Sequence, residues 1–131
     1  MDFGLTDEQK LLEQTLRRLL AESAPPLRVR EIMNGETAHD PKLWAQLAEL
    51  GVAGILVPEP QGGGGLQMLD AALAMQSLGH GATPAPFLAT SVLAPVVLAA
   101  GTPAQQGEWL PRIAAGDALL GVAASELVCK R

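Results

Sequence analysis

Gly51-Val-Ala-Gly54-Ile-Leu-Val57-Pro58-Glu59-Pro-Gln61-Gly62-Gly63-Gly64-Gly65 is the stretch whose reading decides the fold. It lies between two segments with helical periodicity. Four consecutive glycines invite a phosphate-loop reading, because backbone N–H groups at a helix N-terminus bind anions. A nucleotide fingerprint needs a defined glycine spacing inside a parallel βαβ unit, or a Lys-Ser/Thr pair after the loop. Neither is present. The other reading is a tight turn that requires positive φ and close helix approach.

Before the turn, Thr6 with Gln9 three residues on forms a capping-box pattern. Leu12, Leu16, Leu19 and Leu20 then share one face of a helix to about Ser23, stopped by Pro25-Pro26. A short helical piece is expected from Arg28 to Met33. Asp40-Pro41 supplies an N-cap and a first-turn proline for a second long helix. Its buried side is read as Leu43, Trp44, Leu47 and Leu50, and Gly51 as its left-handed stop.

After the turn, Leu69, Ala72, Leu73 and Met75 predict an amphipathic helix from Leu66 to about Leu78, closed by Gly79. Thr83-Pro84 is expected to open a further helix. From Phe87 to Ala100 that helix is apolar on every side apart from Thr90 and Ser91, so it is expected to be buried on all sides, either centrally in its domain or against something these residues lack, with a bend at Pro95. Thr102-Pro103-Ala-Gln105 caps a last helix, and Ala118 to Ala124 reads as extended. The fold class is all-α, a bundle of five to six helices with a short extended C-terminal segment.

Composition narrows the function classes. At 131 residues the chain suits one domain. With 48% apolar and 18% charged residues it is globular, and two Trp, two Phe and no Tyr leave an aliphatic core. A net charge of −5 argues against a nucleic-acid surface. One cysteine, Cys129, allows no internal disulfide, and the acidic N-terminus lacks signal-peptide features, so a cytoplasmic location is expected. The uncharged run from Gly81 to Gly107 is interrupted by prolines and reads as a buried helix, not a membrane span. His39 and His80 have no partner at ligand spacing, so no metal is expected. No catalytic residue is assigned.

The glycine turn resembles that of the N-terminal helical domain of acyl-CoA dehydrogenases, with Leu50, Gly51, Gly54, Pro58, Glu59, Gly62, Gly63 and Gly65 in register. Leu5-Thr6-x-Glu8-Gln9 resembles the family's opening helix. Gly101-x-x-x-Gln105, Trp109-Leu110-Pro111, Gly116 and Ala124-Ser125-Glu126 resemble its later markers. Gln61, Gln76-Ser77 and Leu127 depart from the family pattern.

The resemblance implies an acyl-chain slot walled by Phe87, Leu88, Thr90, Ser91 and Leu93, with ordinary core packing as the competing reading, the preferred one at Leu88 and Leu93. It also implies that Val122, Ala124 and Ser125 pass beside the flavin ring of FAD. It divides the chain into a helical domain at 1–118 and the start of a β-domain, or a tail, at 119–131. The family's middle β-domain and C-terminal helical domain carry most of the flavin site and the base, and they lie outside these residues. The isolated chain is therefore expected to be inactive alone and to associate, through an exposed apolar surface, as a homo- or hetero-oligomer. An acyl-CoA is the substrate implied for the complete enzyme, with sterol-derived or otherwise bulky acyl groups favoured by Pro86-Phe-Leu-Ala-Thr90-Ser-Val-Leu-Ala-Pro95. Two alternatives stand beside this reading. One is a non-catalytic helical interaction module or partner subunit of a two-chain enzyme; the other is a small apolar-ligand binder built on the Phe87 to Ala100 helix.

Overall fold

Residues 4–123 are described by a computed structural model. They are helical, with no strand among the described residues, as the all-α expectation requires. Helix α1 (Asp7–Ser23) opens where Thr6 Oγ1 accepts from the Gln9 N–H at 3.2 Å and the Thr6 N–H donates to Gln9 Oε1 at 3.1 Å. Leu16 and Leu20 are buried, with Leu12 and Leu19 packed beside them. Pro25 halts α1, but Pro26 begins α2 (Pro26–Met33), two residues before the predicted start. The first turn of a helix needs no N–H from that residue, so proline fits there.

Helix α3 (Pro41–Glu49) is capped by Asp40, whose Oδ1 accepts from the Lys42 N–H at 2.9 Å. Asp40 Oδ2 also accepts from Nε and Nη2 of Arg28 at 2.9 and 2.7 Å, which ties α2 to the start of α3. Leu43, Trp44 and Leu47 are buried as predicted. Leu50 is 44% exposed, contrary to expectation. The helix closes one residue earlier: the Gly51 N–H bonds the Ala48 carbonyl, the Val52 N–H bonds the Leu47 carbonyl, and Gly51 takes φ +77°. This Schellman geometry turns the chain at Leu50 and buries Val52 in its place.

The glycine turn then folds back on itself. N–H groups of Gly64 and Leu66 donate to the Gly54 and Ile55 carbonyls, and that of Gly65 to Val57, each at 2.9 Å. A Cβ on Gly54 would lie 2.8 Å from the Ala114 Cα, and one on Gly63 would overlap the Val57 carbonyl. The turn thereby seats directly on helix α6 (Pro103–Ala114), which opens with its own Thr102–Gln105 capping box.

Helix α4 spans Met68–His80, starting later and running further than predicted. Asp70 Oδ2 accepts the Gln67 N–H at 2.8 Å and sets the start, while Gly79 remains inside the helix. Leu69 is 54% exposed and Ala72 is also exposed; Asp70, Ala71, Leu73, Ala74, Ser77 and Leu78 form the buried side. The reason is tertiary. Gln9 Nε2 of α1 donates to Asp70 Oδ1 at 3.0 Å, drawing that carboxylate inward and rotating Leu69 out. The two N-termini therefore lie together, and α1 runs parallel to α4 with their faces in contact. Phe87 completes this core, and a second cluster of Val57, Ala94, Leu110, Ile113 and Ala118 joins the turn to α6. Trp44 Nε1 links the two by donating to the Gly116 carbonyl at 3.0 Å.

Gly63→Ala should cost about 3 kcal/mol or more in urea unfolding through overlap with backbone, whereas Gly107→Ala, in open space within α6, should stabilise by about 0.5–1 kcal/mol. The Asp40 carboxyl is held below its ordinary 3.8 chiefly by the Arg28 hydrogen bonds, with burial opposing and the Lys42 N–H assisting. A carboxyl whose folded value is depressed stabilises above its unfolded value and loses that contribution as pH falls through the folded one. Asp40→Asn should accordingly flatten the fall in urea midpoint on acidification below about pH 5.

Candidate functional site

Pro95 shapes the helix that carries most of the predicted site. It lacks the N–H that would bond the Ser91 carbonyl in an α turn, and its ring crowds that carbonyl. The segment Leu88–Leu93 is a π turn, with the Ala94 N–H donating to the Ala89 carbonyl, and helix α5 (Ala94–Ala99) continues from it. The segment opens at Phe87, after Pro86, and not at Thr83-Pro84.

The extra residue in the turn moves the exposed face by one position. Leu88 (53%) is followed on that face by Leu93 (37%), then Val96 (49%) and Val97 (65%). Thr90, Ser91 and Val92 are consecutive and all buried. Of the two expected ways to bury this helix on every side, a central place in the domain is excluded: one side is covered by the domain and the other is an open apolar face. Leu88 and Leu93 are not core residues. Phe87 is core, at 1% exposure.

The Thr90 hydroxyl is fully engaged with backbone. Its Oγ1 donates to the Leu120 carbonyl at 3.2 Å and accepts from the Leu120 N–H at 3.0 Å. One side chain thus stands in for a neighbouring strand and fastens the segment after α6 to the π turn. The Ser91 Oγ is buried without a hydrogen-bond partner among the described residues. The fastened segment and α5 border a shallow groove of about 390 Å³, lined by Ala94, Val97, Leu98, Trp109, Leu120 and Val122. The Arg112 guanidinium lies 4.8 Å from the centre of the Trp109 ring, holding that wall by a cation–π contact.

Of the residues expected beside a cofactor, Val122 borders this groove, while Ala124 and Ser125 lie outside the described residues. Sequence reasoning missed Val97, Leu98 and Trp109. Their signal was available in part: Leu93, Val96, Val97 and Ala100 repeat at helical spacing on the side of a helix with no polar residue.

The polar candidates prove structural. All four turn glycines spend their N–H groups on carbonyls of the chain itself, so none is offered to a phosphate. Glu59 is exposed at the head of a short 3₁₀ turn (Glu59–Gln61) and touches the space beside Gly65. Asp70 is committed to Gln67 and Gln9. Among the described residues, no group of three His, Cys, Asp or Glu could hold a metal, and no helix is long and apolar enough to cross a membrane.

A saturated glycine turn on α6 and a clipped segment beside an open apolar helix are the features to compare with known proteins. The family model for the acyl-CoA dehydrogenase N-terminal domain matches residues 6–117. The chain belongs to the acyl-CoA dehydrogenase family. The acyl-CoA dehydrogenase IpdE2 of Mycobacterium tuberculosis is 36% identical over 114 residues, 86% of this chain and 35% of that protein. The ChsE4-ChsE5 complex from the same organism matches with a TM-score of 0.83 at 30% identity, over 91% of this chain and 33% of the matched one. A steroid ACAD, Tcur3481-Tcur3483, matches with a TM-score of 0.77 at 30% identity, over 84% and 30%. The chain thus spans about a third of the length of these acyl-CoA dehydrogenase relatives.

The Thr90 clip gives a direct test. Thr90→Val keeps the shape but leaves the Leu120 N–H and carbonyl unpaired, which should cost about 1–3 kcal/mol and abolish hydrogen-exchange protection at the Leu120 amide. Thr90→Ser should retain that protection.

Proposed function

We propose that this chain is the N-terminal part of an FAD-dependent acyl-CoA dehydrogenase, where it walls the acyl-chain slot and packs against the remaining domains. The observation that carries the reading is the open apolar face of Leu88, Leu93 and Val97 beside the clipped segment that leads to Val122. On this reading residues 1–118 form the helical domain and residues 119–131 begin the next one.

In α,β-desaturation, a base removes the α-proton of the acyl thioester as a hydride leaves Cβ. FAD, when bound, supplies the acceptor for that hydride. The part of FAD that fits here is limited. Val122 and the walls of its groove are apolar and suit the edge of a flat ring, and they offer nothing to the sugar-alcohol chain or phosphates. Those parts, and the base, belong to chain beyond the described residues. What these residues do is exclude water from the acyl chain through Leu88 and Leu93 and fix the approach of residues 121–123 through Thr90. The isolated chain is accordingly inactive, and the working protein is an assembly with the remaining domains or with a partner subunit.

A bulky, sterol-derived acyl group is the substrate class we favour, supported by likeness to a steroid ACAD. A cytoplasmic location goes with this reading. A second reading, a non-catalytic partner subunit, draws on the likeness to a chain of the ChsE4-ChsE5 complex.

The deciding experiment is a visible absorption spectrum of the native protein containing this chain, followed by acyl-CoA addition. Flavin bands near ~450 nm that bleach with a sterol-type acyl-CoA, and less with octanoyl-CoA, are the expected result. A colourless native preparation would sink the proposal. In the flavin-bearing protein, Leu93→Trp should lower kcat/KM for the bulky substrate about tenfold or more and spare a short one.

A further inference from the structure

A second groove lies at the other end of the parallel pair α1 and α4, closed on its third side by α2. Its volume is about 700 Å³, within the ~300–1,000 Å³ typical of small-molecule sites. The floor is aliphatic, with Leu20 and Ala24 from α1 and Val29 from α2, and the exposed Met33 of α2 stands at its edge. The rim is basic. Arg17, Arg30 and His80 all line it and no carboxylate does, although acidic residues outnumber basic ones in the chain by 14 to 9.

Arg17 is paired with Glu13 at 2.7 Å, but Arg30 and His80 make no ion pair among the described residues. The wall after α4 contains Ala82 at φ +47°, the one non-glycine residue with positive φ among those described. That φ closes α4 as Gly51 closes α3: the Ala82 N–H bonds the Gly79 carbonyl and the Thr83 N–H bonds the Leu78 carbonyl.

We propose that this groove binds an amphiphile with an aliphatic tail and a single anionic head, specifically a medium-chain carboxylate. The tail lies over Leu20, Ala24, Val29 and Met33, where burial is favourable along its length. The carboxylate meets the basic rim, with Arg30 as its charged hydrogen-bond donor. A neutral amphiphile of equal length gains the first term only, and a short carboxylate the second only. The site shares no lining residue with the groove over Val97, so the proposal stands independently of the acyl-CoA reading.

The test uses the full 131-residue chain, with calorimetric titration of decanoate kept monomeric and amide NMR as a second readout. Saturable one-to-one binding is expected, with shifts at Ala21, Ala24, Arg30 and Ala82, and binding weaker by at least about tenfold for decanol, for butyrate and for Arg30→Gln. Ala21 is exposed on α1 and lines the groove, so Ala21→Trp should block binding without entering the core. Arg18→Gln, on the same helix but away from the groove, should bind like the parent. Absence of saturable binding, equal binding of decanol, or indifference to both Arg30→Gln and Ala21→Trp in variants with native circular dichroism would overturn the proposal.

Discussion

Two stretches of main chain meet here with no side chain between them, and the rest of the domain is arranged around that contact. Gly54 abuts the Ala114 backbone of α6, and Gly63 lies on the Val57 carbonyl. At such a distance even a methyl group has nowhere to go, and every N–H of the turn must find its carbonyl inside the turn. Once that is satisfied, α6 is held against the end of α3, Trp44 reaches the Gly116 carbonyl, and the two apolar clusters become neighbours. The glycines therefore serve proximity and not phosphate chemistry.

What the sequence made legible was mostly local. Capping boxes at Thr6 and Thr102, the Asp40 cap and the Gly51 stop involve residues a few positions apart, and all appear in the structure. Which face of a helix is buried was less legible, because a distant partner decides it. Leu69 looked like a core residue by spacing, yet Asp70 turns inward to meet Gln9 across 61 positions of sequence. Leu50 failed for a different reason, since a helix that stops one residue early loses the periodicity on which the reading relied.

The candidate site shows the same division. Pro95 announced a disturbed helix, but spacing alone does not say whether the helix bends or widens by one residue, and only widening exposes Leu88 together with Leu93. Thr90 stood out as a hydroxyl in an apolar run and needed a reason; its reason is the Leu120 backbone 30 residues away. The family assignment was legible because the glycine turn combines several constraints in a fixed order. Ala124 and Ser125 lie outside the described residues, so the cofactor side of the reading rests on Val122.

The Gln9 amide has a consequence beyond orientation. Its oxygen caps α1 while its nitrogen holds the carboxylate that caps α4. Fraying at either helix end therefore loosens the other, since the amide and the carboxylate each serve both. The first turns of α1 and α4 form one cooperative opening unit, and the amino-terminal edge of the domain melts as a pair of helices rather than peeling one turn at a time.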